Sequence, residues 1–254
     1  MREYAEQYLV LTGNFGSGKS DIALNTAIAA ADAGQKVLLV DLDMINPYFR
    51  SSERRDLLAA HGVDFIYPDL AFADVEMLTV PPEVYGAFAG GRDLVIFDVG
   101  GDAGGALALG QFRPFFGRIP ADKLAVRAVI NPRRPLCEDA EHVLALLAKM
   151  QMSSRLKIDG LINNGNMQRE SSAEDLLLGY EVLREVAEDT GLPVVQTWGL
   201  PQVLADFAAI AGEQQLDAKY IGEMRELTVF MNRDWESLLN GGLSRILAPD
   251  LKRL

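Results

Sequence analysis

The run GNFGSGKS, from Gly13 to Ser20, constrains this chain more than anything else in it. It meets the Walker A pattern at Gly13, Gly18, Lys19 and Ser20. An apolar run, Tyr8–Thr12, reads as a strand before it, and a stretch of helical period follows. Successive backbone N–H groups and a helix N-terminus then converge on one anion, and phosphate is the natural one. The glycines keep Cβ atoms away from the phosphates, Lys19 neutralises β- and γ-oxygens, and Ser20 offers an oxygen to Mg²⁺. The cradle so defined is Gly13, Asn14, Phe15, Gly16, Ser17, Gly18, Lys19, Ser20 and Asp21. The competing reading is a glycine-rich turn with no ligand. It requires four matched positions to coincide by chance, an event on the order of one in a hundred for such a chain.

Short β-rich runs alternate with longer helical stretches along the chain, the pattern of βα units around a parallel sheet. Strands are expected at Tyr8–Thr12, Val37–Asp41, Asp64–Pro68, Leu94–Asp98, Ala125–Asn131, Lys157–Asn163 and Val194–Thr197. KVLLVD and DLVIFD are continuous apolar runs that suit strands covered on both faces. Helices are expected at Lys19–Ala33, Pro47–Ala60 and Pro135–Met152. Another opens on a capping box, Ser171 with Glu174 or Ser172 with Asp175, and stops at Gly191. From Pro201 onward the sequence reads as further helices. Residues 1–254 show no linker, repeat or low-complexity segment. The expected fold is therefore one α/β domain of three layers, doubly wound, with a mostly parallel sheet of about seven strands flanked by helices.

Two more strands end in carboxylates, where ligands of open α/β sheets gather. VLLVDLD places Asp41 and Asp43 after the second strand, and LVIFDVGGD places Asp98 after the fourth, followed by Gly100 and Gly101. This is a Walker B arrangement, in which a carboxylate holds Mg²⁺, often through water, and glycines let a loop approach the γ-phosphate. Strand-terminal Asp residues also simply cap turns. Three of them downstream of a phosphate loop favour metal and water positioning.

GNFGSGKS, VLLVDLDMINP, LVIFDVGG and LINN together resemble the MinD/ParA/CobQ-CobB nucleotide-binding group of SIMIBI-class P-loop NTPases, over nearly the whole chain. The resemblance implies Asp43, 24 residues beyond Lys19, as the residue that orients the attacking water. It implies Ser20, Asp41 and Asp98 around Mg²⁺, partly through water, and a switch at Gly100 and Gly101. Lys19 and Asp43 would carry the catalysis. It also implies a second base contact near Leu200, Pro201 and Gln202. One departure is Asn14, which stands where members with a deviant Walker A have a lysine that reaches a dimer partner's nucleotide. Asparagine brings no positive charge to the transition state, so slow hydrolysis, or an arginine from a partner, is expected. The absent lysine argues against the nucleotide-sandwich homodimer that the resemblance otherwise implies.

The Asn-Lys-x-Asp motif that reads guanine is absent from LINNGN. The amide of Asn163 or Asn164 can exchange hydrogen bonds with the adenine edge, which points to ATP or ADP, although asparagine also forms turns at strand ends. The segment from Met44 to Asp56, mixing Tyr48 and Phe49 with three arginines, reads either as an amphipathic helix or as a partner surface. Phe112, Phe115 and Phe116 read first as core and second as a docking patch.

A net charge of −12 gives no general attraction to nucleic acid or anionic lipid. The single cysteine, Cys137, excludes an intramolecular disulfide framework and points to a cytoplasmic protein. No apolar run reaches the ~18 residues of a membrane span. The basic, leucine-bearing tail is interrupted by Pro249, which disfavours stable membrane insertion. The expected function is an ATP- and Mg²⁺-dependent switch, or an assembly or maturation factor, for an unidentified protein partner. The alternative is a ligase of the dethiobiotin synthetase or cobyrinate amidase type that phosphorylates a small carboxylate.

Overall fold

A computed structural model of the chain describes residues 6–42, 52–66, 82–101, 105, 109–167 and 170–230. Eight strands form one sheet: β1 Tyr8–Gly13, β2 Val37–Leu42, β3 Asp64–Ile66, β4 Leu94–Val99, β5 Leu124–Ile130, β6 Gly160–Asn163, β7 Val194–Gly199 and β8 Glu223–Glu226. Their order is β3-β2-β4-β1-β5-β6-β7-β8, and every pairing is parallel. Six helices accompany them among the described residues: α1 Lys19–Asp32, α2 Ser52–Ala60, α3 Arg113–Phe116, α4 Ala140–Ser154, α5 Ala173–Thr190 and α6 Pro201–Glu213. The Arg113–Phe116 helix is a single turn.

The apolar runs become the central strands. β1, β2 and β4 are buried at every position, because helices and loops cover both faces. The period-two alternation of a strand divides them between two cores. Val10, Val40 and Phe97 face one side, with Phe112, Phe116 and Leu147. Leu9, Leu11, Leu39 and Ile96 face the other, with Ile22 and Leu24 of α1. Phe112 and Phe116 are core residues, and with Phe115 they stack around Phe88, so the docking-patch reading falls away for the first two.

The departures from the expected elements have local causes. β8, within a region expected to be helical, is an eighth strand at the sheet edge; its sequence EMRE is charged and mostly exposed, and carries no apolar period. The fourth helix starts at Ala140 and not at Pro135, because Asp139 caps it by accepting a hydrogen bond from His142 N at 2.9 Å. Residues 131–137 instead form a tight turn, in which Leu136 has φ 64°. At α5 the capping box is Ser172 with Asp175. The Pro47–Ala60 helix is seen from Ser52 onward, its first residues lying outside the described set, as do Asp43, the aromatic residues Tyr48 and Phe49, and the C-terminal tail.

β1 lies between β4 and β5, neither of which adjoins it in sequence. The chain runs outward from β1 through β2 and β3, returns to lay down β4, then crosses β1 to build β5 to β8. That reversal opens a crevice at the C-terminal ends of β1, β4 and β5, where α/β sheets bind ligands.

Candidate nucleotide site

The turn between β1 and α1 occupies that crevice. Gly13, Gly16 and Gly18 have φ of 154°, 73° and 89°, a conformation closed to most side chains. Space forbids a Cβ as well: at Gly13 it would collide with the Val129 carbonyl of β5, and at Gly18 with the Asn164 amide. Gly18 is the N-cap of α1, so the helix N-terminus opens directly beneath the loop. Ser17 N bonds Asn14 O at 3.2 Å, curling the loop, and the Lys19 ammonium donates to the same carbonyl at 2.9 Å. Lys19 is thereby held across the loop and largely buried.

At the first turn of α1, the Ser20 hydroxyl donates to Asp98 Oδ2 at 2.6 Å. Asp98 is in register with Asp41 on the neighbouring strand, so both carboxylates leave the sheet on one face. They are 1 % and 2 % exposed. Two buried carboxylates side by side repel unless a cation or proton is shared between them, and with the Ser20 hydroxyl they make a hard oxygen donor set suited to Mg²⁺. The expected metal residues Ser20 and Asp98 are thus in contact, with Asp41 adjacent. Asp43 follows the last residue of β2 but lies outside the described residues.

Behind Asp98 the chain passes Gly100 and Gly101. A Cβ on Gly101 would sit 2.7 Å from Asn14 C and 2.8 Å from Phe15 Cα, so the segment after β4 rests on the phosphate loop's backbone. Phe15 itself is exposed. The Asp21 carboxylate accepts from Phe230 N at 3.0 Å and ties α1 to the segment beyond β8.

The two asparagines expected at the base have separate surroundings. Asn163 is fully buried under α5, where its amide donates to Leu176 O at 3.0 Å and its side chain fills the space that Gly179 leaves. Asn164 donates to Ser17 O at 2.7 Å, bracing the phosphate loop from β6, and its Oδ1 is buried with no hydrogen-bond partner among the described residues. Leu200 caps α6, Pro201 opens it, and Gln202 donates to Asp206 at 2.9 Å.

The turn after β5 is the part of the site that sequence reasoning missed. Asn14 Nδ2 donates to Pro135 O at 2.6 Å and Arg134 Nε donates to Gly16 O at 3.0 Å. These contacts span 121 and 118 residues, and no local pattern announces them. The neighbouring Arg133 turns the other way, to Asp175 at 2.6 Å. Cys137, at the end of this turn, is buried, and burial pushes its thiol up to about 11. Beside the loop lies a cavity of about 200 Å³, bounded by Thr12, Asn14 and Gly101 on one side and by Leu146, Lys149 and Met150 of α4 on the other.

The comparisons agree with this architecture. The chain superposes on FtsY of Thermotoga maritima with a TM-score of 0.54 and 19 % identity, covering 77 % of this chain and 62 % of that one. FtsY of Mycoplasma mycoides gives a TM-score of 0.54 at 16 % identity, over 81 % of this chain and 63 % of the other. Signal recognition particle 54 kDa protein of Aeropyrum pernix, in complex with GDP, gives 0.52 at 21 % identity, over 85 % and 48 %. This chain thus spans about three fifths of the FtsY chains and half of the signal recognition particle protein. No family profile and no curated protein matches the sequence. At such identities the likeness carries the fold alone, a parallel α/β sheet flanked by helices like that of FtsY and signal recognition particle 54 kDa protein.

Proposed function

We propose that this chain binds ATP with Mg²⁺ and hydrolyses it, and that the bound nucleotide sets the state of the loops after β2 and β4 for a partner protein. The observation that carries this reading is the Ser20–Asp98 hydrogen bond at the mouth of a glycine-built anion cradle. The loop amides and Lys19 receive the phosphates. Ser20, Asp98 and Asp41 would hold Mg²⁺, which supplies charge compensation to the β- and γ-oxygens. Asp43 as the residue orienting water rests on the family resemblance. Gly101, packed on Asn14 and Phe15, gives the switch a physical route: a γ-phosphate that shifts the loop shifts the segment after β4.

ATP is favoured over GTP by the residues after β6. Guanine presents two N–H donors that require a carboxylate, and Asn163 to Met167 contain none. The Asn164 Oδ1 is an acceptor suited to the adenine amine, with Leu200, Pro201 and Gln202 as the second wall of the base site. Net charge and the lack, among the described residues, of any helix long and apolar enough to span a membrane fit a cytoplasmic protein acting on another protein, with no nucleic acid and no stable membrane insertion.

Phosphate release, together with calorimetric titration of ATP and GTP in magnesium and in EDTA, tests the reading. Tight, magnesium-dependent ATP binding that Lys19→Ala abolishes is expected. Undiminished ATP affinity in Lys19→Ala would sink it.

The cavity beside Gly101 and Lys149 supports the second reading, in which γ-phosphate passes to a small carboxylate. An acyl phosphate trapped by hydroxylamine in place of free phosphate would select it.

A further inference from the structure

Arg134 is positioned as a component of the phosphate site. Its backbone is fixed twice within the turn after β5: Arg134 N donates to Asn131 O at 3.0 Å and Cys137 N donates to Arg134 O at 3.1 Å, with Pro132 and Pro135 on either side. Asn131 is fully buried, so the turn has a rigid base. From it the side chain extends to the phosphate loop, where Nε donates to Gly16 O at 3.0 Å. The guanidinium lies against Gly16, close enough that a Cβ there would stand 3.3 Å from Nε and 3.7 Å from Cζ. The same turn grips Asn14 through Pro135 O.

Charge separates this arginine from its neighbour. Arg133 is neutralised by the buried Asp175 carboxylate. Arg134 makes no ion pair among the described residues, and the one described hydrogen bond of its side chain goes to a carbonyl, which leaves its net charge uncompensated beside an anion cradle. A guanidinium has five N–H donors in a planar fork. One is spent on Gly16, and the two terminal amino groups remain for phosphate oxygens, which they match in pairs.

We infer that Arg134 supplies, from within the same chain, the positive charge that Asn14 does not bring to the nucleotide phosphates. The inference rests on the ATP-hydrolysis reading above. Turnover then needs no second copy of the chain, and the arginine expected from a partner is supplied in cis.

The experiment compares the full chain with Arg134→Ala, Arg134→Lys and Lys19→Ala, by steady-state phosphate release over a wide range of protein concentration and by circular dichroism and melting. Arg134→Ala is expected to keep its fold and to lose about a thousandfold in kcat, the lower side of what an arginine at a transferring phosphate contributes. Arg134→Lys, which restores charge without the fork, should recover part of that loss. Turnover per molecule of the unsubstituted protein should not change with concentration. Arg134→Ala with unchanged kcat and altered KM alone would reduce the residue to a brace for Gly16 and overturn the inference, as would turnover per molecule that climbs with concentration. Failure of the unsubstituted protein to bind ATP would overturn both the inference and the function it rests on; hydrolysis equal in the unsubstituted and Arg134→Ala proteins would overturn the inference alone.

Discussion

The hydroxyl of Ser20 lies 2.6 Å from Asp98 Oδ2, joining the first turn of α1 to the end of β4 across 78 residues. Asp98 also stands beside Asp41 in the sheet. Asp98→Asn keeps the shape and removes one charge. In magnesium, ATP affinity should fall roughly tenfold to hundredfold, the usual cost of damaging a metal's supporting shell, while affinity in EDTA holds. Without metal the variant should melt higher, by about 2–4 °C for ~1 kcal/mol, because the repulsion with Asp41 is relieved. Calorimetry and thermal melting in EDTA read the two effects.

Gly18 and Asn164 meet at the loop's inner edge. Any side chain at Gly18 collides with the Asn164 amide and must also adopt φ 89°. Gly18→Ala should abolish ATP binding and lower stability. Asn164→Ala leaves the Ser17 carbonyl unpartnered in a buried position, at a cost of about 1–3 kcal/mol in urea unfolding.

The first turn of α4 carries a pH signature. A hydrogen bond from His142 to Asp139, backed by the carboxylate's charge, raises the imidazole pKa above 6.5, and the backbone N–H of His142 lowers Asp139 below 3.8. A raised histidine stabilises fully below its unfolded pKa, and the benefit fades as pH rises through the folded value. A lowered carboxylate stabilises above its unfolded pKa and loses the benefit as pH falls through the folded value. The pair is therefore fully effective between 3.8 and 6.5. In an NMR titration Asp139→Asn should bring the His142 midpoint down.

Cys137 should resist alkylation at neutral pH. With the thiol near 11 and fully buried, roughly one molecule in ten thousand presents a thiolate at pH 7 even before access is considered. Labelling by iodoacetamide should be slow in the folded protein, complete in urea, and slower again with ATP, which stabilises the turn holding Asn14. Rapid native labelling would contradict the buried setting.

The fold was legible wherever interactions were local or periodic. Continuous apolar runs mark β1, β2 and β4, because burial on both faces demands them, and Ser172 with Gly191 brackets α5 by cap chemistry alone. β8 was missed because an edge strand is held by backbone pairing with β7 and needs no apolar pattern. The start of α4 was misplaced because Pro135 opens helices as readily as turns, and only the Asp139 cap decides between them. At the site, the glycines, Lys19, Ser20 and Asp98 were readable from spacing. The split between Asn163 and Asn164 was not, since adjacent residues at a strand end point to opposite environments, one beneath α5 and the other at the loop. Arg134 could not be placed from spacing either, since its partner Gly16 lies 118 residues away in the chain.

The strand that carries the phosphate loop is made before both of its neighbours and completed late. Tyr8–Gly13 leaves the ribosome well ahead of its two neighbours, β4 and β5, which end at Val99 and Ile130. At ordinary translation speeds the interval is on the order of ten seconds, during which an apolar strand has no sheet to join. The gap makes β1 a natural client for chaperones during synthesis and makes closure of distant strands the slow event in refolding. It also means that a product terminated before β5 cannot assemble the cradle, because Gly13 pairs with Val129 of that strand.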